Sequence, residues 1–258
     1  MTKPALENAV SEHDYLLRLA ASDLGRAWKS LAAAELGIRP GDVVLDLGCG
    51  PGADLPAFAE AAGRQGRVIG LDRDPSRVRA AMDRTAALPQ VEVQEGDIHA
   101  CGLSDSSADR VHTDRVLQHV ADPDAVLAEA RRVLRPGGRA VFAEPDWDTL
   151  IVDYPDLSVP RAYTRFVTEQ VIRNPAIGRQ LPRRAEAAGF TVRKVIPITG
   201  IFRDVAKADR FLGFQRVTDR AVGDGYLTAE SARQWLSHLT TQPFFASLTL
   251  YILTAGAG

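Results

Sequence analysis

Short apolar runs alternate with amphipathic segments along most of this chain. Val43-Val44-Leu45, Arg67–Leu71, Val91–Gln94, Asp109–His112 and Arg139–Ala143 each read as a short buried strand. Between them, residues from about 52 to 62, from Pro75 to about Ala87 and from Asp122 to Leu134 read as helices. Asp74-Pro75-Ser76 and Asp122-Pro123 place a capping carboxylate directly before a proline in the first helical turn, where its missing N–H costs nothing. Gly63 and Gly66 punctuate the end of the first of these helices, and Leu134-Arg135-Pro136-Gly137-Gly138 ends the third. This alternation predicts βαβ units wound around a parallel sheet.

The ends of the chain extend the pattern. Leu16, Leu17, Leu24, Ala27 and Leu31 recur at helical spacing over residues 13–37, an N-terminal amphipathic helix or helix pair. Tyr15 and Trp28 on it read as core packing ahead of closure over a ligand. Residues 146–189, interrupted by Pro155, Pro160, Pro175 and Pro182, predict a broken helical insertion before a sixth strand at Phe190–Pro197. A second helical stretch spans about 206–239, and Leu248, Leu250 and Ile252 alternate with Thr249 and Tyr251 in a last strand, Ala246–Thr254. The expectation is an α/β fold of Rossmann-like type: a seven-stranded, mostly parallel sheet with helices on both faces. It forms one domain, with an N-terminal helical cap (1–40), a ligand-binding core (41–145) and substrate-side insertions with the last strands (146–258), the insertions acting as a lid.

Composition narrows the classes. With 258 residues, 45% hydrophobic and 25% charged, the chain has the profile of an ordinary globular domain. A net charge of −2 offers no basic footprint for nucleic acid. Two cysteines, Cys49 and Cys101, make no disulfide framework, and no Cys/His spacing suggests a metal. The polar start MTKPALENAVSEHDY shows no secretory signal, and no apolar run nears membrane-spanning length. The expected location is therefore cytoplasmic, without membrane or nucleic-acid partners. A homodimer is compatible with all of this.

The chemistry concentrates at the predicted carboxyl ends of the strands, where open parallel sheets bind ligands. Residues 43–55 read Val-Val-Leu-Asp-Leu-Gly-Cys-Gly-Pro-Gly-Ala-Asp-Leu. Gly48, Gly50 and Gly52 lack Cβ atoms, so they permit positive φ and let backbone N–H groups approach a ligand closely. Asp46 at the mouth of this turn suits a ligand with an amino group and a sulfonium better than one with a pyrophosphate, which it would repel. Asp72 ends the second strand, where a carboxylate can accept from both hydroxyls of a ribose.

The segment resembles motif I of the class I S-adenosylmethionine (SAM)-dependent methyltransferases. The resemblance covers roughly residues 40–145 as an ordered set: the glycine turn, Asp72, Gly96-Asp97-Ile98 after strand three, the Arg115/His119 turn, and Pro136-Gly137-Gly138 before strand five. It points to the small-molecule branch related to ubiquinone/menaquinone-biosynthesis and natural-product enzymes. It implies SAM as cofactor, S-adenosylhomocysteine (SAH) as product, no metal, and a small-molecule methyl acceptor. Carried over by motif, Asp46, Gly48, Gly50, Gly52, Asp72, Arg73, Asp97, Ile98 and Arg115 would bind cofactor, Arg73 covering the adenine face and Asp97 accepting from its amino group. His119, on one helical face with Arg115 if the segment after strand four is a helical turn, would be a general base or merely line the pocket. Glu144 is a second candidate base. Asp146 and Trp147 would meet the acceptor, and Tyr154, Tyr163, Phe166, Phe211, Phe214, Tyr226 and Trp235 would roof an apolar or aromatic pocket or belong to the core. Two other readings stay open: a SAM-binding fold with a non-methylating or partner-binding role, and an NAD(P)-dependent oxidoreductase, because Gly48-x-Gly50-x-x-Ala53 also satisfies a loose dinucleotide fingerprint.

Overall fold

A computed structural model of the chain describes residues 17–18 and 20–257; Leu16, Tyr15 and His13 lie outside them. The elements follow in the order α1 (Asp23–Leu36), β1 (Val43–Leu47), α2 (Leu55–Ala62), β2 (Arg67–Asp72), α3 (Pro75–Thr85), β3 (Val91–Glu95), β4 (Ala108–Asp114), α4 (Pro123–Val133) and β5 (Leu134–Val152). The second half adds α5 (Ser158–Phe166), a π turn (Val167–Val171), α6 (Ile177–Ala187), β6 (Phe190–Phe202), α7 (Val205–Leu212), α8 (Phe214–Gly223), α9 (Ala229–Thr241) and β7 (Ala246–Ala257). The seven strands form one sheet in the order β3-β2-β1-β4-β5-β7-β6. Strands β1–β5 pair in parallel, while β7 runs antiparallel to both β5 and β6. The chain reverses its direction of travel across the sheet between β1 and β4, the switch point where open α/β sheets form a ligand crevice.

Both faces of the sheet are covered, which is why β1 reads as a continuous apolar run. Leu45 and Leu47 join a core with Leu127 and Ala130 of α4 and Leu181 and Ala185 of α6. The alternate residue Val44 faces Trp28, Phe58 and Ala59 of α1 and α2. Asp46 therefore belongs to the α1/α2 face by the two-residue period of the strand. A third core lies among the lid helices, built on Tyr163, Phe166, Phe214 and Trp235. Capping follows the sequence: Asp74 accepts from Ser76 N at the start of α3, and Asp122 accepts from the amides of Asp124 and Ala125 at the start of α4.

The strands outrun the sequence reading, β4 to Asp114 and β7 to Ala257, and most of all β5 and β6. Strand β5 neither starts at Arg139 nor stops at Ala143. It begins at Leu134, carries Pro136-Gly137-Gly138 as a bulge between Leu134 and Arg139, and continues to Val152. Beyond Ala143, opposite Asp114, it has left β4 and pairs with β7 alone, through Glu144↔Tyr251 to Val152↔Ala246. Pro145 is tolerated there because one side of the strand needs no ladder donors. Residues 146–152 are accordingly strand, not helical insertion. Strand β6 likewise outruns its predicted end at Pro197 and reaches Phe202, paired to β7 throughout. Among the described residues no helix is long and apolar enough to cross a membrane.

Candidate functional site

A cavity of about 1870 Å³ opens at the carboxyl ends of β1–β4 and continues beneath the lid. That is roughly twice the upper end of ordinary single-ligand pockets, which run to about 1,000 Å³. From the strand ends it is lined by Asp46, Gly48, Gly50, Asp72, Asp97 and Ile98, with Arg73 exposed at the edge. From the turn after β4 and from the lid it is lined by Arg115, Gln118, His119, Trp147, Ile172 and Phe211.

The glycine turn does not present its amides to this cavity as expected. The Gly48 and Cys49 N–H groups both donate to the Leu71 carbonyl (2.7 and 3.0 Å), Gly50 N–H donates to Asp72 Oδ2 (2.9 Å), and Gly52 N–H donates to the Cys49 carbonyl (3.1 Å). Docking the turn onto the end of β2 uses these donors internally, as buried amides must be used. What the glycines supply is approach. Their φ angles are 78°, 55° and 73°. A Cβ on Gly48 would stand 2.6 Å from Val116 Cγ2, and one on Gly52 would stand 2.9 Å from Ala81 Cβ. The turn after β4 and helix α3 can close on the glycine turn only because those atoms are missing.

Asp72 is 5% exposed, and its two oxygens accept from Gly50 N and Asp74 N, both at 2.9 Å. These bonds fix the carboxylate's plane while leaving each oxygen a further lone pair for a ligand hydroxyl. Next along the cavity edge, Asp97 Oδ1 accepts from His99 N (2.9 Å) and contacts His99 Nδ1 (2.6 Å), in a side chain that is 69% exposed beside buried Ile98. Deeper in, Asp46 Oδ1 lies 2.8 Å from His112 Nδ1, both side chains almost fully buried. Burial pushes the Asp46 carboxyl up. For His112 burial alone would favour the neutral ring, but the Asp46 carboxylate overrides it and holds the imidazole pKa up. The pair keeps a shared proton.

An ion cluster absent from the sequence reading stands beside them. Lys29 Nζ reaches Asp54 Oδ2 and Asp114 Oδ2, each at 2.5 Å, and Trp28 Nε1 donates to Asp114 Oδ2 at 3.0 Å. Burial would lower the Lys29 pKa, yet Asp114 and Asp54 raise it well above its ordinary value. Burial would raise that of Asp114, yet Lys29 and Arg115 hold it down to about 2. Asp114 lies two residues past the predicted end of the fourth strand at His112, in the last position of the observed β4; Lys29 carried no signal, since only tertiary packing brings α1 to this spot. Arg115, with φ 58°, places its guanidinium 5.5 Å from the centre of the Trp28 ring. Among the described residues that line the cavity, Asp114 Oδ1, Arg115 Nε and His99 Nε2 are buried without a hydrogen-bond partner, although Arg115 Nε and Asp114 Oδ1 form an ion pair with each other at 3.7 Å. Buried polar groups are nearly always paired. An acceptor and a donor close together here suit the ammonium and carboxylate of an amino-acid moiety.

Residues 115–120 form a turn rather than a helix, so Arg115 and His119 do not share a helical face, although both line the cavity. Glu144 explains the turn. It is fully buried and accepts from the amides of Val116 (2.7 Å), Leu117 (2.6 Å) and Gln118 (3.3 Å). It is absent from the cavity lining, so it holds the turn in shape instead of serving as the second base. Its burial pushes the carboxyl up to about 8. A group raised in the folded state from about 4.5 to about 8 contributes stability below pH 4.5 that is lost as pH climbs through 8. Glu144→Gln keeps an oxygen for Val116 and Leu117 and sacrifices the longest bond. Urea unfolding at pH 5, 6.5 and 8 should show wild-type stability falling by about 2–4 kcal/mol relative to E144Q over that range; parallel curves would refute it.

Asp146 also departs from expectation. It is 1% exposed, outside the cavity lining, and chelated by the Arg179 guanidinium from α6, so it does not face an acceptor. Trp147 does line the cavity. Its indole donates to Gln118 Oε1 (2.7 Å) and stacks against Phe211 of α7, ring centres 6.3 Å apart and planes at 25°. Of the aromatic residues expected to roof a pocket, Phe211 lines it; Tyr163, Phe166, Phe214 and Trp235 are fully buried lid core. His119 is exposed on the cavity wall. Asp46, Asp54 and His112 bring one ligand atom each within 4.8 Å of one another. All three side chains are already engaged, Asp54 by the Lys29 ammonium and Asp46 and His112 by each other.

Comparison with known proteins gives a consistent picture. Residues 38–176 match the family model described as a methyltransferase domain. An uncharacterized 37.1 kDa protein in transposon Tn4556 of Streptomyces fradiae is 56% identical over 252 residues, 97% of this chain and 73% of that one. The demethylmenaquinone methyltransferase of Staphylococcus aureus strain JH9 is 30% identical over 146 residues, 57% of this chain; the match spans 61% of that enzyme's length. Among solved structures, a SAM-dependent methyltransferase from Aquifex aeolicus superposes with a TM-score of 0.55 at 21% identity, covering 74% of this chain and 93% of that one, a likeness of fold.

Proposed function

Because the chain belongs to the class I SAM-dependent methyltransferase family, we propose that it moves the sulfonium methyl of SAM onto an oxygen, nitrogen or carbon nucleophile of a small metabolite. The observation carrying this reading is one continuous cavity joining the Asp72/Asp97 strand ends to the Trp147–Phe211 floor. The donor set suits the cofactor. Asp72 accepts from the ribose hydroxyls, Ile98 packs on the adenine with Asp97 at its amino edge, and Asp114 and Arg115 take the amino-acid end. Bound there, SAM supplies an activated methyl group needing no further electrophilic help. The protein's part is placement, for which alignment contributes roughly 7–11 kcal/mol of barrier lowering. Gln118 holds the Trp147 indole as a rigid wall for the acceptor, and Glu144 holds the turn that carries Gln118 and His119.

His119 is the proton acceptor in this scheme. Its ordinary pKa lies near working pH, and its wall position gives it access to an acceptor's hydroxyl or amine. His119→Ala should lower kcat by about 10²-fold or more with little change in SAH affinity. A normal kcat across pH 6–9 would reduce it to a wall residue. Conversion of SAM to SAH with a candidate acceptor, followed by mass spectrometry, tests the whole assignment; failure of the folded protein to bind SAM or SAH would end it.

A further inference from the structure

The lid side of the cavity carries a charge pattern that net charge conceals. Helix α7 buries Val205, Ala208 and Leu212. Lys207, Arg210 and Phe211, three and four residues apart on one helical face, line the cavity instead. Arg203, just before the helix, and Arg216, in the first turn of α8, line it too, as does Arg173 beyond the π turn. These cations all line the cavity from its lid-side elements, in a protein whose net charge is −2. Asp219 of α8 accepts from Gln215 Nε2 (3.0 and 3.1 Å) and Glu169 of the π turn accepts from the Tyr226 hydroxyl (2.6 Å), which leaves Asp204 and Asp209 as the carboxylates of α7 and its cap. Asp204 caps α7 by accepting from Lys207 N (3.0 Å), and Asp209 is buried and accepts from Gln215 N (3.4 Å). Neither forms an ion pair with Arg173, Arg203, Lys207 or Arg216, and no other described carboxylate does.

The apolar part of the same wall is Trp147, Phe211, Phe202, Val171 and Ile172. The π turn matters here: it closes with the Ile172 amide donating to the Val167 carbonyl, and Val167, Val171, Ile172 and Arg173 all reach the cavity. An aromatic floor beside the guanidinium groups of Arg173, Arg203 and Arg216 and the Lys207 ammonium recognises one kind of molecule, an apolar body with an anionic head. A cavity whose strand-end wall is rich in carboxylates and whose lid is rich in cations also orients two ligands of opposite charge.

We propose that the methyl acceptor is an amphipathic anion, its apolar body on Trp147 and Phe211 and its carboxylate or phosphate held by Arg203, Lys207 and Arg216. This rests on the methyltransferase reading and refines the expectation of a merely apolar acceptor. Calorimetry on the full chain, with and without saturating SAH, would compare octyl phosphate, octanoate, 1-octanol and octylamine as probes. The two anions should bind at least about tenfold more tightly than the alcohol and the amine, as one charge-assisted hydrogen bond is enough to provide. The tighter anion identifies the head group. Arg203→Gln, Lys207→Gln and Arg216→Gln together, all at exposed positions, should erase that preference while leaving 1-octanol and SAH binding unchanged. Trp147→Ala should weaken all four probes. Equal affinity for octyl phosphate and 1-octanol, or a preference that survives the triple substitution, would overturn the proposal. SAH affinity on the same samples separates the two claims: SAH bound without anion preference removes only this one, and anion preference without SAH binding removes the methyltransferase reading and leaves an amphipathic-anion site that is no longer a methyl-acceptor site.

Discussion

Replacing Asp72 with alanine should weaken SAH binding by about 10²–10⁴-fold. The estimate follows from two charge-assisted hydrogen bonds to a ribose, each contributing roughly 1.5–3 kcal/mol, with 1.4 kcal/mol corresponding to a factor of ten. The carboxylate is well prepared for this role, because the Gly50 and Asp74 amides already fix its orientation. It therefore loses little freedom when a ligand arrives. The same bonds mean that the alanine variant also loosens the glycine turn, so the measurement needs a companion. Asp72→Asn keeps an acceptor for one hydroxyl and should fall between wild type and D72A by calorimetry. Circular dichroism establishes that both variants are folded. SAH affinity within threefold of wild type in folded D72A would remove Asp72 from the cofactor site.

The second large effect concerns stability. Lys29→Met should destabilise the fold by about 3–5 kcal/mol at pH 7, because it leaves Asp54 and Asp114 facing each other without their shared cation. The side chain is 15% exposed and Asp114 only 6%, so solvent screens the pair little. The pH dependence has a definite sign. Asp114, held at about 2 in the folded protein against an ordinary 3.8, contributes stability above pH 3.8 that disappears as pH falls through 2. In K29M that depression is gone, so the gap between variant and wild type should be widest near neutrality and narrow below about pH 4. Adding Asp114→Asn should recover part of the loss. Urea denaturation of the three proteins at pH 7 and pH 3.5 checks this; a K29M protein within 1 kcal/mol of wild type at pH 7 would show the cluster to be incidental.

Both predictions concern residues of different legibility. Asp72 could be found from sequence, since a predicted strand ended there at a fixed distance from a glycine turn and open sheets bind ligands at such ends. Lys29 could not. Its partners lie 25 and 85 residues away, and nothing local in α1 distinguishes it from a solvated lysine. Glu144, Asp146 and Trp147 show the same division within one four-residue stretch. Their density at a strand end drew attention to the right edge of the sheet. Which of them faces the cavity depended on β5 running on beside β7, which buries Glu144 beneath the turn after β4 and delivers Asp146 to Arg179. The glycine turn was recognised from its residues, whereas the destination of the Gly48, Cys49 and Gly50 amides was not, because their acceptors belong to β2.

By itself the sequence determined the alternation of strands and helices, the caps, the glycine turn and the family to which they belong, since periodicity, capping and turn chemistry act over a few residues. Only the tertiary structure decided the strand extensions, the pairing of each buried charge, and which aromatic and cationic side chains line the cavity. Those outcomes depend on groups remote in the chain competing for the same hydrogen bonds and the same space. A short-range pattern cannot encode the result of that competition; packing does.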